Sequence, residues 1–103
     1  MPEKHIPKAV LNGLREICIE EGIERLILFG SRARGTHSER SDIDIAAKFH
    51  SARQLDNFKE KIDDLKRIPS LLIIDVINLN SDMLSPALIE DIEKDGVIIY
   101  EKI

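Results

Sequence analysis

The chain has 103 residues, 43% hydrophobic and 33% charged, a balance that fits one small globular domain over residues 1–103 and leaves no room for two. A formal charge of −4 and an aromatic content of 4% argue against a broad footprint on duplex nucleic acid and against a platform for stacking single-stranded bases. No apolar run approaches the roughly 18 residues of a membrane span. Pro2-Glu3-Lys4-His5 does not read as a signal peptide, and one cysteine excludes an internal disulfide framework, so a cytoplasmic setting is expected.

The first predicted element is a helix over residues 7–21, with Pro7 in its first turn and Gly22 as the residue that ends it. Val10, Leu14, Ile17 and Cys18 share its apolar face, and Gly13 should weaken it by roughly 1 kcal/mol. Cys18 on that face reads as a packing residue. A buried strand follows over residues 25–30, a continuous apolar run that stops at Gly30. Residues 31–34 form a short helix closed by Gly35, and residues 36–41 a polar loop. The second strand covers residues 42–49, with Ile43, Ile45 and Ala47 on one face and Asp42, Asp44 and Ala46 on the other.

Residues 51–67 read as a helix with a narrow stripe of Leu55, Phe58, Ile62 and Leu65. Residues 71–79 are the most apolar run and are expected to form a central strand, interrupted by Asp75, with Ile73 and Ile77 sharing its face. Ser85-Pro86 opens a last helix to about residue 95, Gly96 closes it, and residues 97–100 form a final strand. The alternation implies an α/β fold: one small mixed β-sheet with helices packed on it.

Asp is disfavoured in strands, and Asp42 and Asp44, two positions apart, point the same way. At an effective dielectric near 20 and about 6 Å apart, two carboxylates repel by about 3 kcal/mol. If the second and third strands pair in register, Asp75 joins them, since neighbouring strands lie about 4.8 Å apart. Such a patch suits divalent cations, and magnesium, which combines carboxylate with phosphate and water, is the natural one. Two ions can serve both oxygens of an in-line displacement at phosphorus. Gly30-Ser31 supplies a close backbone approach for a phosphate and one hydroxyl donor. Arg32 and Arg34 lie near that turn, where either can reach a phosphate or pair with an acid such as Glu39. The spacing of a Walker P-loop is missing. His5, His37 and His50 match no zinc spacing, and Tyr100 reads as an edge or core aromatic.

Gly30-Ser31-Arg32-Ala33-Arg34-Gly35, then Ser41-Asp42-Ile43-Asp44-Ile45, with Asp75 as a third acid, resembles the signature of the DNA polymerase β-type nucleotidyltransferase superfamily. The chain is most similar to its minimal nucleotidyltransferases, such as the MntA-like antitoxins of HEPN/MNT pairs. The resemblance implies a polymerase β-like nucleotidyltransferase fold. It implies catalytic and magnesium-binding roles for Asp42, Asp44 and Asp75, with two Mg2+ ions, and nucleotide binding at Gly30 and Ser31, to which Arg32 is added for its place beside that turn. It also implies ATP as substrate, AMP transfer to a hydroxyl on a partner protein, and a hetero-oligomer with a small all-helical HEPN protein encoded nearby. An aminoglycoside-like small-molecule acceptor and a non-catalytic antitoxin or assembly subunit are the alternatives.

Overall fold

In the computed structural model, which describes residues 5–103, the helical period of the first segment becomes α1 (Lys8–Glu21). The reading of Pro2, Glu3 and Lys4 lies outside the described residues. Pro7 stands just ahead of the helix, and Gly22 ends it in a left-handed conformation that glycine adopts at little cost. Val10, Leu14, Ile17 and Cys18 are buried as their spacing predicts. Burial pushes the Cys18 thiol up to about 12, which suits packing and not nucleophilic attack. Gly13 has a tertiary cause. A Cβ there would lie 2.5 Å from the Arg67 carbonyl oxygen and 2.7 Å from Ile68 Cδ1, so the helix gives up propensity to let residues 67–68 approach.

The remaining elements are β1 (Arg25–Phe29), α2 (Gly30–Arg34), β2 (Ile43–Lys48), α3 (Ala52–Ile62), β3 (Ile74–Asn78), α4 (Pro86–Asp95) and β4 (Val97–Glu101). The sheet order is β3-β2-β1-β4, with β1 antiparallel to β2 and β4, and β2 parallel to β3. A parallel pair needs a crossover, and α3 supplies it. Gln54 fixes the start of that crossover: its Oε1 accepts from Ser51 N at 3.0 Å, and its Nε2 donates to Gly22 O at 3.2 Å.

The alternation in β2 sorts the two faces. Ile43, Ile45 and Ala47 join Leu26, Leu28, Leu14, Ile17 and Phe58 in the main core, against α1 and α3. Ala46 on the opposite face packs with Phe29 and with Ile92 of α4, and Ile27, Ile77 and Leu88 border that smaller cluster. At α4, Ser85 Oγ accepts from Leu88 N at 3.2 Å and Pro86 opens the first turn. Tyr100 is partly buried against the main core.

Two expectations require correction. The third helix stops at Ile62, not at residue 67: Asp64 Oδ1 accepts from Lys66 N, and Asp64 O accepts from Arg67 N and Ile68 N, which turns the chain away. Ile68 is thereby buried, while Leu65, expected in the apolar stripe, is 57% exposed. The apolar run 71–79 is not a central strand either. Only Ile74–Asn78 enters the sheet, at its edge, and Leu71 and Ile73 are 90% and 60% exposed. Hydrophobic continuity does not separate a strand covered on both sides from one whose apolar flank faces outward.

Candidate active site

The C-terminal end of β1, the N-terminal end of β2 and the start of β3 meet at one end of the sheet. Phe29 is the register partner of Asp44, and Asp44 is the register partner of Asp75. Gly30-Ser31, Asp42, Asp44 and Asp75 therefore converge, although up to 45 residues separate them in sequence (75 − 30 = 45). Asp44 and Asp75 lie on the face of Ala46 and Ile77, which is the α4 side of the sheet. Asp42 stands just before β2 and, like Asp75, is exposed, while Asp44 is half-buried.

The electrostatics of this patch centre on Asp44, whose pKa is raised above the ordinary carboxylate value. Burial is the largest cause. The charges of Asp75 and Asp42 follow, with a carboxyl–carboxyl hydrogen bond to Asp75, and Arg34 pulls the other way. Among the described residues, no three acidic, histidine or cysteine side chains are gathered closely enough to form a finished metal cage. The acids form an open patch of hard oxygen donors. That is compatible with magnesium, which takes one or two carboxylates and completes its shell with water and phosphate oxygens.

Gly30 has a positive φ of 74°, and a Cβ added there would run into the Asp44 carboxylate. The glycine at the strand end is thus needed twice, for its backbone conformation and for the space that Asp44 occupies. Ser31 follows in the first turn of α2 and is half-buried.

The two arginines of α2 separate cleanly. Arg32, expected to bind nucleotide, is 3% exposed. It donates to His5 O at 2.9 Å, Ser41 O at 3.1 Å, Glu39 O at 3.2 Å and Ser38 O at 3.4 Å. Four of its five N–H groups go to main-chain carbonyls, so it braces the loop before Asp42. It meets the backbone of Glu39, not the carboxylate. Arg34 is exposed and pairs with Asp95 at the end of α4 over 3.4 Å. Sequence reasoning missed Asp95, since nothing local links it to a residue 61 positions earlier. His5 and His37 make an edge-to-face ring contact with centroids 5.5 Å apart, and His50 is exposed.

No helix of the described residues is long and apolar enough to cross a membrane. The sequence matches the family model "Polymerase beta, Nucleotidyltransferase" over residues 12–103. No curated protein matches. Among solved structures, that of a toxin-antitoxin with AMP-PNP superposes with a TM-score of 0.63 at 20% identity, covering 89% of this chain and 73% of that one. A toxin-antitoxin MntA-HpeT mutant gives a TM-score of 0.62 at 18% identity, with the same coverage of 89% and 73%. Identities this low establish a shared fold, and the family match extends over nearly the whole described chain. The chain belongs to the polymerase β nucleotidyltransferase family.

Proposed function

We propose that residues 1–103 act as one magnesium-dependent nucleotidyltransferase unit that moves AMP from ATP to a hydroxyl on a partner protein. The observation that carries this reading is the Asp44–Asp75 register pairing beside Gly30, in a chain of a nucleotidyltransferase family. Gly30 admits a phosphate close to the main chain, and the Ser31 hydroxyl donates to it. Asp42 and Asp44, with Asp75, would hold the magnesium. When bound, the metal neutralises the carboxylate patch and the charge that develops on the phosphate oxygens. Arg34 is the arginine within reach of phosphate, since it is exposed and its pair with Asp95 is long.

The acceptor oxygen attacks the α-phosphorus in line. A new P–O bond forms as the bond from the α-phosphorus to its bridging oxygen breaks, and pyrophosphate leaves. Asp75 receives the hydroxyl proton. Positioning and charge neutralisation supply most of the rate, as in phosphoryl transfer generally.

The acceptor is read as a small all-helical HEPN protein encoded nearby, with which this chain forms a hetero-oligomer as its antitoxin. The toxin-antitoxin context of the similar structures supports that partner, and AMP-PNP in one of them supports ATP as the nucleotide. The test combines this protein with the product of the adjacent gene, ATP and magnesium, followed by intact-mass measurement. An AMP-sized increase on the neighbour that EDTA abolishes is expected. Equal protection from a toxic neighbour by wild type and by Asp42→Asn/Asp44→Asn would instead assign the protein to a non-catalytic antitoxin role.

A further inference from the structure

The apolar residues Leu65, Leu71 and Ile73 are 57%, 90% and 60% exposed, and none takes part in the chemistry above. They border a groove of about 320 Å³ beside Ile62. Through Ile62, Asp63 and Ile74 the groove continues into a hollow of about 240 Å³ that reaches Lys59, Asp75 and Val76. The depression follows β3, with the end of α3 as its opposite wall.

Hydrogen bonds fix which backbone groups face it. Ile43 N donates to Ile73 O at 2.8 Å, and Leu79 N donates to Ala47 O at 2.9 Å. In a parallel ladder these bonds turn the main chain of residues 73, 75, 77 and 79 toward β2. The N–H and C=O groups of Ile74 and Val76 then turn to the open side, since β3 is terminal in the sheet, while Asn78 O accepts from Ser81 N at 3.2 Å. Neither lysine nor proline guards this edge, as commonly happens on solvent-facing edge strands.

We propose that the open edge of β3 docks an extended segment of the acceptor polypeptide, which adds to the sheet as a fifth strand and brings its hydroxyl beside Asp75. The proposal rests on the protein-hydroxyl reading above. Unpaired main-chain groups call for an extended backbone, not a helix. The exposed leucines and Ile73 select apolar side chains on the segment, and Asp63, which borders both hollows, selects a basic flank. A second copy of this chain fits less well, because a two-fold pairing of β3 edges would bring Asp63 toward its own image.

The test uses arrayed nine-residue peptides with a central tyrosine, serine or threonine, probed with the full chain in Mg–ATP. Retention of the protein and transfer of label from the α-phosphate are read separately. Wild type should be retained on peptides with alternating apolar residues and a lysine or arginine flank. Val76→Pro removes one outward N–H without breaking a bond to β2, and should cut retention at least tenfold with ATP affinity unchanged. Leu65→Asp/Leu71→Asp should act alike and carries the test if the proline variant does not fold. No retention of wild type, or equal retention of both variants, overturns the proposal. So does a change in self-association alone by sedimentation, which would assign the edge to a second copy. Retention without transfer supports docking and counts against the transfer reading. Transfer undiminished by Val76→Pro does the reverse.

Discussion

At Gly13, Gly30 and Arg32, contacts from distant parts of the chain add to what the local sequence shows. Alanine at an exposed helix position replacing glycine normally gains roughly 1 kcal/mol. At Gly13 the added Cβ meets the Arg67 carbonyl and Ile68, so Gly13→Ala should destabilise by about 1–3 kcal/mol in denaturant unfolding. Gly30→Ala combines a positive φ with a collision at Asp44. It should cost about 1–2 kcal/mol for the backbone alone and also impair transfer by displacing the carboxylate. Arg32→Ala leaves four carbonyls short of a charged donor and should lower stability by about 2–4 kcal/mol. Lysine should not rescue it, because one ammonium cannot reproduce the spread of the guanidinium. A stable Arg32→Ala that lost only ATP affinity would return that residue to the phosphate.

Among the elements, the parts set by local rules were legible from sequence. Gly22 and Gly35 ended their helices in left-handed conformations, Ser85-Pro86 opened α4, and the period of two in β2 assigned Asp44 to the face opposite Ile43 and Ile45. Two acids at i and i+2 in an otherwise apolar segment pointed to the proposed site, and the parallel register brings Asp75 beside Asp44. What was not legible depends on distant partners. The end of α3 is set by an Asp64 turn packed where Gly13 leaves space, and the edge position of β3 follows from strand order, which no local pattern encodes. The difference between Arg32 and Arg34 likewise depends on a folded loop and on Asp95.

For the whole molecule, the half-buried Asp44 carboxylate beside Asp42 and Asp75 is held ionised at some expense to stability. Because the folded-state pKa of Asp44 is raised, its ionised form is disfavoured by folding. The resulting penalty is present at neutral pH and fades as pH falls through that raised pKa. In EDTA at pH 7, Asp44→Asn should therefore melt higher than wild type, with the gap narrowing as pH is lowered through that range. A gap that widens on acidification would reverse the assigned sign. The ion pairs of Glu20 and Glu21 with Lys61, and of Glu20 with Arg67, work oppositely, since those carboxyls are held below their ordinary values and their contribution is lost on acidification. Comparing variant with wild type at each pH cancels that background.

Whether Asp42, Asp44 and Asp75 form a cation-dependent nucleotide site is read most directly from the thermal midpoint with a non-hydrolysable ATP analogue. At about ten times Kd, binding should stabilise the fold by about 1.4 kcal/mol, or several degrees for a domain this size. Wild type with magnesium should show that shift, and EDTA or Asp42→Asn/Asp44→Asn should abolish it. An equal shift in EDTA, or in the double variant with magnesium, would contradict such a site.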